Sequence, residues 1–142
     1  MTETWRRLAL YLLLFGMTGM AAELLLLGHF EDAWQWTPIA LLGVGLPLGG
    51  AVRFRPSRIT VVGLRTLMLG YLIAGGIGLY LHLKSNIEFE LELHPSMVGW
   101  ELITETLSGA MPALAPGAMA QLGLLGLLVC FRHPGLSREQ QA

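Results

Sequence analysis

Three polar side chains fall inside apolar runs of this sequence, and each sits on a stripe of small residues. Glu23 has Gly19 and Gly16 four and seven residues before it. His82 has Gly78, Gly75, Ala74 and Tyr71 at the corresponding helical spacings, and Gly70, Ala74 and Gly78 form a small-xxx-small series. Gln121 follows Gly117 and Ala118 by four and three residues. Small residues let helices approach closely in lipid, so a polar group on such a stripe is expected to face a neighbouring helix. A carboxyl at a bilayer centre costs about 2.5–3.5 kcal/mol on insertion scales, which makes Glu23 the most conspicuous of the three. The pattern predicts a polar intramembrane cluster of Glu23, His82 and Gln121 just below one membrane surface. Its chemistry would be either a hydrogen-bond network locking the helices or the handling of a proton. Gly16, Gly19, Gly70, Ala74 and Gly78 are the expected helix-packing positions.

A second set lies above that cluster. His29, Glu31 and His82 are donors that suit a divalent metal, and His29 with His82 would be an axial pair for a haem. The spacing carries little specificity: there is no HExxH, and Cys130 is the single cysteine. Gly75, Gly76 and Gly78 lie inside an apolar run, which excludes a phosphate-binding loop. No nucleophile is paired with a base by spacing, so an enzyme is the least supported class.

The elements that must position these residues follow from composition. Hydrophobic residues make up 54 % of the chain and charged residues 13 %, with mean hydropathy +0.58. A soluble domain carries about a quarter charged residues, so the class is an integral membrane protein of one domain. Four apolar runs cover residues 8–27, 34–52, 59–83 and 113–131. Each approaches the roughly 20 residues that span a bilayer. The first could instead be a signal peptide ending near Gly19-Met20-Ala21, but Leu24 to Leu27 continue past that cut. The second contains Pro38, Pro47 and four glycines, and is expected to be short and kinked.

Charge orients the runs. Arg6, Arg7, Arg53, Arg55, Arg58, Arg65, Arg132 and Arg138 all fall toward one side, and Lys84 alone toward the other. The positive-inside rule places both termini in the cytoplasm, in the plasma (inner) membrane of a bacterium. The opposite side carries Glu31, Asp32, Glu88, Glu90, Glu92, Glu101 and Glu105. The short Arg53-x-Arg55 loop suits anionic headgroups and predicts no nucleic-acid binding.

Residues 84–112 form a long extracytoplasmic segment. Ile87, Phe89, Leu91 and Leu93 alternate with Glu88, Glu90, Glu92 and His94, which is the period of a strand. Met97, Trp100, Ile103 and Leu107 recur at helical spacing, predicting an amphipathic helix lying at the interface with Trp100 at headgroup depth. The expected fold is therefore all-α: a four-helix transmembrane bundle with an outer segment containing a strand-like stretch and an interfacial helix. Three functions fit. The leading one is a non-catalytic accessory or structural subunit that docks on a larger membrane complex or on copies of itself. The others are an outer-side metal or haem protein, and a small ion- or proton-coupled transporter with Glu23 as the titrating group. The inner half of the spans, apolar except for Thr66 and Arg65, counts against transport.

Overall fold

A computed structural model of the chain describes residues 2–136, and Arg138 and Glu139 lie outside them. Every regular element among the described residues is a helix: α1 (Glu3–Leu26), α2 (Ala33–Phe54), α3 (Arg58–Leu93), α4 (Gly99–Ser108) and α5 (Gly117–Cys130), followed by a 3-10 turn at Pro134–Leu136. α1, α2 and α3 are long and apolar enough to cross a membrane. α5 is apolar but has 14 residues, about 21 Å of helix. Residues 113–116, expected within the fourth run, form turns ahead of it.

Local sequence explains the boundaries. α1 ends at Gly28, whose φ of 64° suits a residue without a Cβ. The Gly28 and His29 amides donate to the Leu25 and Leu24 carbonyls, at 3.2 and 2.9 Å, satisfying the last turn as in a Schellman cap. Asp32 caps α2 by accepting from the Gln35 amide at 2.9 Å. Gln35 in turn accepts from the Glu31 amide at 2.8 Å. Ser57 and Thr60 form a capping box at the start of α3. α2 runs unbroken through Pro38 and Pro47, and is longer than its glycine content predicts.

The strand-like stretch at Ile87–Leu93 is a correction: these residues are the last two turns of α3. Their alternation is a coincidence of seven residues, and the three glutamates and two leucines among them favour helix more strongly than strand. Lys84 and Glu88 pair across one turn at 3.6 Å. Nothing breaks the helix until Pro95, which disfavours helical backbone at His94.

α3 packs most extensively against α5, and also against α2 and α4; α1 packs against α2 and α5. The core between them is built from Leu10, Leu13, Met17, Leu42, Val61, Leu64, Met68, Tyr71, Met119 and Val129. The surface around it is apolar as well: Phe15 is 79 % exposed and Ile59 81 %. A continuous apolar surface outside an apolar core is what a hydrocarbon solvent calls for, and it accords with a membrane protein.

The end of the helices that carries the N-terminus is closed by Arg6. Its side chain is buried. It donates to the carbonyls of Val129, Phe131 and Arg132 at 3.3, 3.2 and 3.1 Å, across more than a hundred residues of sequence. Those carbonyls lie at and just past the C-terminal end of α5, where a cation is also favoured by the helix dipole. Glu3 lies 3.4 Å from the same guanidinium.

Candidate functional site

α3 has 36 residues, about 54 Å of helix where a bilayer core needs about 30 Å. Its last turns therefore run past the length that a bilayer core needs. The chain turns at residues 94–98, and α4 runs back along α3. What holds the two together is Asn86, which is 1 % exposed. Its Nδ2 donates to the Thr106 carbonyl at 2.9 Å and the Met111 carbonyl at 2.8 Å. Its Oδ1 accepts from the Met111 amide at 3.0 Å. One side chain thus satisfies three backbone groups at the end of α4 and in the loop after it. Gly109 is required there, since a Cβ would lie 2.8 Å from the Asn86 Cγ. One helical turn earlier on α3, His82 Nδ1 lies 3.1 Å from the Pro112 carbonyl. A carbonyl only accepts, so this contact places the proton on Nδ1. Thr106 Oγ1 is buried without a hydrogen-bond partner among the described residues.

The hairpin presents two surfaces. A polar cleft of about 330 Å³ is lined by Glu90, His94, Ser96, Met97, Glu101 and Glu105. Three carboxylates there concentrate negative potential. Beside it, large apolar side chains are exposed: Val98 at 74 %, Trp100 at 76 %, with Leu93, Ile103, Phe89 and Leu107. Trp100, Ile103 and Leu107 share one face of α4 by helical spacing. α4 is the expected amphipathic helix, but it stands against α3 and does not lie free across an interface.

The other predicted residues are distributed differently. His82 is drawn into the hairpin anchor. Glu23 and Gln121 are exposed on α1 and α5, and among the described residues no hydrogen bond joins them to each other or to His82. His29 and Glu31 sit in the turn between α1 and α2. Among the described residues no group of three His, Cys, Asp or Glu side chains gathers to hold a metal ion, so His29, Glu31 and His82 do not form one donor set. A buried polar contact within the helices is made by Tyr71. Its hydroxyl donates to the Leu41 carbonyl at 3.1 Å, with Met17 Sδ 3.3 Å away. Gly45 leaves the room for it on α2. Tyr71 thereby ties α1, α2 and α3 at one level.

The glycine contacts also differ from the expected stripe. Gly16 and Gly78 are at close approaches, to Leu122 and Pro116. Gly70 has ordinary space, and Gly19 has nothing within 4 Å. The tightest backbone approach is made by Gly75 against α5, where a Cβ would lie 2.8 Å from the Ala120 amide nitrogen. Gly123 does the same from the other side, 2.8 Å from the Met68 carbonyl oxygen. Ala74 flanks this seam half-buried.

In comparisons with known proteins, no family model, curated relative or solved structure matches the chain.

Proposed function

We propose that the protein is a non-catalytic accessory subunit of a larger membrane complex. In this reading α1, α2, α3 and α5 form a four-helix transmembrane bundle in the plasma membrane. Both termini face the cytoplasm, and the α3–α4 hairpin stands outside. The observation that carries the reading is the Asn86 anchor. A helix that has already crossed the bilayer continues for several turns, folds back, and spends a buried asparagine on fixing the return segment. Ordering such an appendage costs conformational entropy, which a rigid platform for a partner would justify. Orientation is supported by Arg6, Arg53, Arg55 and Arg58 at the end of the helices opposite the acidic hairpin.

Two results are expected. Mild-detergent extraction after crosslinking in native membranes should recover the protein with specific partners in fixed ratio. Recovery as a stable lone monomer would overturn the subunit reading. For orientation, cysteine labelling is suitable because the native Cys130 is buried. A membrane-impermeant maleimide should label Ser96→Cys in intact cells and Ser57→Cys only after permeabilisation. The reverse pattern would invert the topology.

A further inference from the structure

We infer that the exposed apolar side chains at the tip of the α3–α4 hairpin, Leu93, Val98, Trp100 and Ile103, are a docking surface for an extramembrane protein segment carrying Lys or Arg beside apolar residues. The inference rests on the subunit reading and names where the contact is made.

Lipid does not reach this surface. Lys84 is the first charge after the apolar run of α3, so the hydrocarbon ends at or before it. Leu93 lies nine residues farther along a continuous helix, about 13 Å at 1.5 Å per residue. The headgroup layer on each side adds only about 5–7 Å. α4 returns toward the membrane, and Thr106 is level with Asn86 through their hydrogen bond. Trp100, six residues before Thr106, is therefore about 9 Å farther out than Asn86. Leu107 and Met111 come back near the headgroups and are left out of the proposed surface. Trp100 at 76 % and Val98 at 74 % exposure are consequently apolar side chains in water, on a segment that Asn86 holds rigid. A large exposed aromatic on a rigid element is the usual anchor of a protein interface.

Charge selects the occupant. Residues 84–112 carry Glu88, Glu90, Glu92, Glu101 and Glu105 against the single Lys84. A second copy docking tip to tip would set these carboxylates against each other, which like-charge repulsion disfavours. A basic partner is drawn in by the same field, and its apolar side chains cover the tryptophan.

The test uses the full-length protein in its native membrane, with a photoreactive phenylalanine analogue placed at Trp100 or Ile103, and at Phe15 as a lipid-facing control. The expected result is a discrete protein adduct from Trp100 and Ile103. Its crosslinked peptide should map to a basic extramembrane segment, and its yield should fall as salt rises. Trp100→Ser with Ile103→Ser should lower recovery of the complex about tenfold or more. Both side chains are exposed, so the thermal stability of the isolated protein should not change. Adducts with lipid or with a second copy at these positions overturn the inference. So does full recovery of the complex with the double variant, which would leave the subunit reading standing with its contact elsewhere. Absence of any complex from the wild-type protein defeats both.

Discussion

Asn86→Ala is expected to detach α4 from α3 while leaving the membrane helices folded. The substitution removes three hydrogen bonds, to the Thr106 carbonyl and to the Met111 carbonyl and amide. It leaves those backbone groups without partners in a buried position. Each such group costs about 1–3 kcal/mol unless water reaches it, so a local loss of about 3 kcal/mol or more is expected where it does not. The remaining attachments of the segment are the His82 contact with the Pro112 carbonyl and the apolar packing around Met97. A short helix of 10 residues does not hold its fold in water without tertiary contacts. Hydrogen exchange and limited proteolysis should therefore show residues 99–111 losing protection, with α1 and α2 unchanged. Asn86→Asp keeps the size but turns two donors into acceptors facing carbonyls, and should be no milder. Gly109→Ala pushes on the same side chain and should give a weaker version of the phenotype. If Asn86→Ala leaves the cleavage pattern as it is, the asparagine is not what fixes the hairpin.

How far the sequence discloses this arrangement differs from residue to residue. The two ends of α1 and α2 and the start of α3 are legible because charge and caps mark them. Arg6, Arg7, Arg53, Arg55 and Arg58 bracket the apolar runs, and Asp32, Ser57 and Gly28 supply the local hydrogen-bond and φ requirements. The C-terminal end of α3 is not legible by periodicity. Seven alternating residues satisfy a strand and, with glutamate and leucine as their types, a helix equally well. Length and propensity, not period, decide between them. Asn86 is hidden for the same reason. On a strand it would be an unremarkable polar residue, and only on a helix followed by a tight return does it meet the end of α4.

The polar cluster illustrates a different limit. Placing Glu23 inward takes Gly16 and Gly19 as marks of one packed face; Gly16 does meet Leu122, yet nothing lies within 4 Å of a Cβ built at Gly19. A small residue permits close approach without requiring it. Arg6 is the converse. As a sequence feature it reads as a topology-setting charge, and the fold makes it a cap on a helix more than a hundred residues away. No local pattern could announce a contact whose two halves are brought together only by packing α1 against α5.

The seam between α3 and α5 should respond to substitution by position and not by residue type. A methyl group at Gly75 would meet the Ala120 amide nitrogen at 2.8 Å and the Pro116 carbonyl oxygen at 3.0 Å, and one at Gly123 would meet the Met68 carbonyl oxygen at 2.8 Å. These are backbone atoms that cannot rotate away, so the two helices must separate. Gly75→Ala and Gly123→Ala are each expected to cost about 1–3 kcal/mol, and Gly75→Val more. Gly70→Ala, where the nearest atom is the end of Leu41 at 3.7 Å, should stay within about 0.5 kcal/mol of the parent. Thermal or denaturant unfolding of the purified protein in mild detergent measures the difference. Equal effects at Gly70 and Gly75 would mean that the close approach is not made. The same seam continues toward the C-terminal end of α3 through the Gly78 contact with Pro116, the His82 contact with Pro112 and the Asn86 contacts with Met111. A wedge at Gly75 should therefore loosen the hairpin together with the bundle, whereas Asn86→Ala loosens the hairpin alone. That asymmetry follows from the hairpin being anchored on the α3–α5 seam while the seam is held by its own core.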